Sequence, residues 1–192
     1  MTDDVDNTMT AKEKKLDDLA AAVNQAPARR RPTEMGHYGI RIDVNGTWHH
    51  GGTPFTRLEL VKLFSTVLKR QTDGSFWLET PVERGRIDVE DSPFIAVEIQ
   101  TSGEGNGQVI RFRTNLDHWV TLNSNHELRI TLDAKTEEPR PYLHVRDGLE
   151  ARLLRSVFYE LVDLAVDNFD AGAIGVWSDG QFHKIGPIEG DS

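Results

Sequence analysis

Trp48-His49-His50 leads into Phe55, Leu60, Leu63, Phe64, Val67 and Leu68. Ninety-four residues later, Tyr142-Leu143-His144 leads into Leu149, Leu154, Val157, Phe158, Leu161 and Val162 at identical, ungapped spacing. Upstream, Ile40-Arg41-Ile42-Asp43-Val44 is echoed by Leu128-Arg129-Ile130-Thr131-Leu132. A repeated supersecondary unit constrains the whole architecture, so it is read first. Each copy reads as strand, strand, helix.

In the first copy Ile40–Val44 alternates as a strand and Asn45-Gly46 supplies a tight hairpin turn. Thr56 stands as a helix cap with Glu59 three residues on, and Phe55 and Leu60 are placed as a hydrophobic staple. This predicts a helix ending near Arg70, whose Lys69 and Arg70 suit its negative end. In the second copy Asp147 and Glu150 form the same cap pattern, predicting a helix from Asp147 to about Val166, 91 residues after the first start. Strands are expected at 76–80, 86–90, 94–99, 109–113 and 142–145, with a closing hairpin over 173–185. Strand runs joined by hairpins and interrupted by two helices predict an α+β fold with antiparallel sheets, internally duplicated. The expected domains are a tail over 1–31, a first domain over 32–95 and a second over 96–192. In the tail, 1–9 reads as disordered, Thr10–Ala26 as a helix, and Arg29-Arg30-Arg31 as a solvated linker between Pro27 and Pro32.

The net charge is −9. Residues 1–31 balance six acids with six bases, so the surplus lies on 32–192, where 25 acids face 16 bases. Such a body repels a phosphate backbone, which argues against an extended nucleic-acid partner. There is no cysteine, hence no disulfide, thiolate nucleophile or zinc–thiolate site. No apolar run approaches the roughly 18 residues of a membrane span. The acidic start, Met1-Thr2-Asp3-Asp4, does not resemble a signal peptide, so a cytoplasmic protein is expected.

Gly103-Glu104-Gly105-Asn106-Gly107 is followed by a strand pattern rather than a helix, so it reads as a hairpin turn and not a phosphate loop. Seven histidines form no helical His-x-x-x-His pair, and the adjacent His49 and His50 point to opposite faces of a strand. No metal or cofactor is expected. His50 and His144 occupy equivalent places before the two helices, where unpaired amides and a positive dipole favour an anion. Arg111, Arg113, Arg146 and Arg152 are candidates for a local positive pocket, since guanidinium binds phosphate or carboxylate in a fork. Glu83, Asp88, Glu90 and Asp91 invite a paired-carboxylate or hard-cation reading, although an exposed strand face explains them equally well.

Several blocks together are similar to one bacterial family: Gly46–Pro54, Leu60–Phe64, Thr80–Glu83, Val89–Phe94 and Tyr142–Ala151. The sequence resembles the family of domain of unknown function 1285 from about Gly36 to about Ile188. The resemblance implies two related α+β domains, the second superficially like a pleckstrin-homology fold. It also implies a nucleotide-like ligand between the domains and a signalling role; it carries no catalytic residues. The expectation is therefore a small anionic ligand, held by His50, Glu83, Glu90, Arg113, His144 and Arg146, with a protein signalling partner. Two alternatives stand beside it. One is a metal-assisted hydrolase or transferase using Asp88 and Glu90. The other is a protein-interaction module presenting a sheet edge near Phe94–Ile99.

Overall fold

A computed structural model describes residues 3–26 and 31–188. Most of Arg29-Arg30-Arg31 and the last residues of the tail lie outside that range. The chain divides into two compact units, Met1–Asp43 with Thr47–Glu90, and Val44–Gly46 with Asp91–Ser192.

The first unit opens with α1 (Asp3–Val23), longer at its start than the sequence predicts and covering residues expected to be a disordered tail. Its Leu19 and Ala22 are buried, so the helix docks on its unit. Strand β1 (Thr33–Ile42) buries Tyr38, Ile40 and Ile42 on one face. The chain then turns through a three-residue loop closed by Asp43 and Thr47, with Gly46 left-handed at φ 75°. This is a one-residue-longer hairpin than a tight Asn-Gly turn. After β2 (Trp48–His50) and β3 (Thr53–Pro54) comes α2 (Leu58–Thr66). Trp48 and Phe64 each meet the Phe55 ring edge-on, at 6.3 and 6.1 Å.

Helix α2 does not continue to Arg70. Leu68–Arg70 is strand β4, because Leu68 pairs with Leu78 of β5 (Phe76–Glu79) and both side chains are fully buried. Strand β6 (Glu83–Val89) completes a six-stranded sheet of order β3-β2-β1-β6-β5-β4. Its central pair, β1 with β6, is parallel, against the expectation of an all-antiparallel sheet.

The second unit contains β7 (Phe94–Ser102), β8 (Val109–Thr114), β9 (Trp119–Thr121), β10 (Leu128–Leu132), β11 (Pro139–Arg146) and β12 (Leu149–Leu153). They form a sheet of order β10-β11-β12-β7-β8-β9, again with one parallel pair, β12 with β7. Counted along the chain, both sheets have the order 3-2-1-6-5-4, with strands one and six adjacent and parallel. The glycine-rich stretch links β7 to β8 as a turn, as its sequence implies. Strand β7 lies inside the sheet, and its buried Phe94, Ile95 and Ala96 pair with β12, so this part of the edge expected there for partner docking is already covered.

The helix expected at Asp147 is absent. Asp147 and Gly148 both adopt positive φ, 47° and 74°, as in a two-residue type I′ hairpin turn. Leu149, Ala151 and Leu153 are then buried alternately along β12. The Asp-Gly hairpin signal prevails over the Asp-x-x-Glu capping signal, and Glu150 instead takes both arms of the Arg129 guanidinium at 2.7 Å. Helix α3 runs from Arg155 to Asp163, 97 residues after α2 rather than 91. A small third sheet, β13 (Val166–Asn168), β14 (Ala173–Ser178) and β15 (Gln181–Pro187), follows. Ser178 ties it to the larger sheet: its Oγ accepts from Ile110 N–H at 3.0 Å and donates to Leu122 O at 2.7 Å.

Candidate functional site

In the second unit the β10–β11 hairpin, the end of β12 and the first turn of α3 enclose a cavity of about 420 Å³. Three guanidinium groups, Arg140, Arg152 and Arg155, line it, with the rings of Phe158 and Tyr159 beside them. Alternation places Arg152 between the buried Ala151 and Leu153, so its side chain leaves the core face of β12. Arg155 opens α3, which begins without a side-chain cap on Leu154. Its guanidinium lies 5.4 Å from the Tyr159 ring centroid and donates to the Tyr159 hydroxyl at 2.8 Å. Phe158 is buried, whereas Tyr159 is exposed and forms one lip of the cavity.

Acids temper the positive charge. Arg140 lies 3.3 Å from the half-buried Asp133, and Arg155 lies 3.2 Å from Glu138 in an exposed pair. Such pairs yield readily to a competing anion, because each is worth little in water. Asp133 accepts amide hydrogen bonds from Lys135 and Thr136, which hold its carboxyl below the ordinary range. Arg152 is more firmly placed, 2.9 Å from the half-buried Asp91 and donating to Val44 O at 2.8 Å. Asp91 also accepts from Tyr142 OH at 2.7 Å, and burial together with that bond raises the tyrosine hydroxyl's pKa.

The six residues singled out from sequence do not gather within their units. In the first, His50 lines a different cavity, with its ring 6.4 Å from Phe55. Glu83 accepts from Tyr38 OH at 3.1 Å and stands at the start of β6. Glu90 follows the other end of that strand and pairs with Arg41. Seven residues of extended chain put Glu83 and Glu90 roughly 23 Å apart. In the second unit, Arg113 on β8 is held by Glu98 at 2.6 Å and Asp117 at 3.0 Å, three strands away from β11. His144 and Arg146 share β11, but a register shift separates them.

His144 is occupied on both ring nitrogens. Nδ1 faces the Asn125 carbonyl at 2.8 Å, and Gly148 N–H donates to Nε2 at 3.3 Å. Its ring stacks on His126 at 6.1 Å. This fastens the β11–β12 turn to the loop before β10. Arg146 lies 5.5 Å over the Phe94 ring, and burial lowers its pKa from the ordinary guanidinium value. The carboxylates of the hydrolase alternative are also engaged: Asp88 lies 3.3 Å from His37, and Glu90 pairs with Arg41. Among the described residues no group of three or more His, Cys, Asp or Glu side chains is placed to hold a metal ion.

Of the arginines suspected from sequence, Arg152 alone lines this cavity. Arg140 and Arg155 were missed, as was Tyr159. Arg140 directly follows the polar stretch Asp133–Pro139, and Arg155 lies inside the helix expected to start eight residues earlier. The one available signal was composition: Arg140, Arg152 and Arg155 fall within 16 residues of an otherwise acidic body.

Comparison with known proteins bears on identity more than on chemistry. No curated protein matches the chain. A solved structure of a DUF1285 family protein from Silicibacter pomeroyi DSS-3 shares 39% identity at a TM-score of 0.81, covering 91% of this chain and 96% of that one. Another DUF1285 family protein, from Shewanella baltica OS155, shares 25% identity at a TM-score of 0.52, covering 65% of this chain and 91% of that one. Residues 28–92 match the N-terminal domain of unknown function DUF1285 and residues 93–185 match the C-terminal domain of the protein of unknown function DUF1285. With both domain models matched in order and a 39%-identical relative aligned along almost its whole length, the chain belongs to the DUF1285 family.

Proposed function

We propose that the protein binds a small anionic ligand of the nucleotide class and serves a sensing, signalling role in the cytoplasm. The observation that carries this reading is the convergence of Arg140, Arg152 and Arg155 on one cavity beside two aromatic rings. Its volume of about 420 Å³ falls within the roughly 300–1,000 Å³ of small-molecule sites. Guanidinium forks suit phosphate oxygens, and the exposed Tyr159 ring offers a base a stacking face. The anion inferred from sequence is kept; its place moves from a cleft between halves to the second unit. Six strands followed by a single closing helix support the pleckstrin-homology likeness of this unit as part of the same proposal.

The test is a thermal-shift screen over nucleotides and cyclic dinucleotides, followed by calorimetry on the best ligand. A ligand at 100 times its dissociation constant adds roughly 2.7 kcal/mol, which is readily seen. Arg140→Gln and Arg155→Gln should each weaken binding at least tenfold while leaving the unliganded melting temperature unchanged. A ligand whose affinity ignores both substitutions overturns the site. Failure of every nucleotide to shift melting overturns the class.

A further inference from the structure

We infer that the first unit carries a separate small-molecule site, under helix α1, that fits a free amino acid with an apolar side chain. The cavity there measures about 170 Å³ and is lined by Leu16 of α1, by Phe55, by Leu60 of α2 and by His50. An engineered cavity of about 150 Å³ in another protein holds a benzene ring, so this space takes a branched aliphatic or a phenyl group and little more.

Two charges of opposite sign border that apolar space, Glu13 on α1 and Arg57 at the start of α2. A purely apolar ligand leaves both unused, and a simple acid or amine meets one of them as a like charge. A zwitterion satisfies both: its carboxylate lies on the Arg57 guanidinium and its ammonium on the Glu13 carboxylate. Arg57 now donates to Asp17 Oδ1 at 2.6 Å, in a pair exposed on both sides. Such a pair is easily exchanged for a ligand carboxylate. Leu19 and Ala22, further along α1, stay buried and keep the helix seated while the exchange occurs. The site thus sits between a helix and the surface it covers, and filling it adds contacts on both.

L-leucine and L-phenylalanine, titrated into the full chain by calorimetry and thermal shift, provide the test. Toluene, 3-phenylpropionate and phenethylamine are the controls that remove both charges or one. The expected result is a rise in melting temperature with either amino acid at about 10 mM, tenfold above a millimolar dissociation constant. The controls should give a weaker shift or none. Glu13→Gln and Arg57→Gln, both at exposed positions, should each raise the dissociation constant at least tenfold. Leu16→Trp should abolish binding by filling the space, and its circular dichroism shows whether the fold is kept. No response to either amino acid overturns the inference. So does a toluene response equal to that of phenylalanine, or binding that survives both charge substitutions. Because the anionic-ligand cavity lies in the other unit, the Arg140 and Arg155 variants leave this measurement unaffected.

Discussion

The two units lay their six strands in the same order, yet they install their helix differently. In the first, α2 interrupts the series between strands three and four; in the second, α3 comes after strand six. A cavity adjoins the start of each helix. The first is small and mostly apolar with one charge of each sign; the second is larger and lined by three arginines. The scaffold is therefore common to both units and the chemistry is not. Packing positions are shared because one sheet face must be covered in each unit. The charged residues at the cavities are free of that demand and differ between the units.

The comparison is tested most severely in the helix cores. Phe64 of α2 and Leu161 of α3 hold matching positions and are both fully buried. Phe64→Ala should cost about 3–5 kcal/mol and Leu161→Ala about 2–5 kcal/mol. Hydrogen exchange followed unit by unit should show each loss concentrated in its own unit; a loss spread evenly would mean that the units open together. Next comes the feature that the second unit alone possesses. Ser178→Ala removes a donor and an acceptor joining the small sheet to β8, at a cost of about 1–3 kcal/mol. Chemical denaturation measures it, and an unchanged midpoint would show that the small sheet contributes nothing to the unit.

Titration reads a buried group in each unit. In the first, burial and the neighbouring Glu83 raise the Tyr38 hydroxyl pKa above its ordinary value of 10.0. The folded chain then keeps a proton that the unfolded chain releases, so stability is level below about pH 10 and falls above it. Tyr38→Phe should reduce that alkaline loss, leaving the part that Tyr142 contributes in the second unit. In the second, burial lowers the His183 pKa from 6.5. The unfolded chain takes up the proton first, so stability falls as pH drops below about 6.5. His183→Gln should flatten that acid limb. Melting curves across pH check both, and an acid limb unaltered by the substitution would break the assignment. The smallest expected effect is at the surface: Arg113→Gln, despite its two carboxylate partners, should leave the melting temperature unchanged.

Much of this was legible beforehand. The alternation around Ile40 and Ile42 marked a strand, and the family resemblance extended over both units. The matched 94-residue spacing located a repeat, but it misplaced the helix register. In the structure Leu60, Val61 and Phe64 answer to Val157, Phe158 and Leu161, an offset of 97. Three residues is close to one helical turn, so an apolar stripe slid by three still lies almost on itself. At the turns, Gly51-Gly52 matches Asp147-Gly148 in positive φ, an offset of 96. The spacing therefore drifts from 94 to 97 between the histidines and the helix, around the irregularity between His144 and Arg146. The site was less legible for a different reason. Arginines are placed by which face of which strand they occupy, and mistaking β12 for a helix removed Arg152 and Arg155 from their real neighbours.

The parallel pairing of first and last strands also bears on how the chain is made. Thr33 must find Glu83, fifty residues on, and Phe94 must find Ala151, 57 residues on, before either sheet is whole. Pairings between such distant segments give a high contact order and slow folding. During synthesis the first sheet cannot close until its sixth strand has left the ribosome, and until then β1 presents an unpaired edge. The order of strands sets a waiting period in each unit, during which the nascent chain depends on its short hairpins alone.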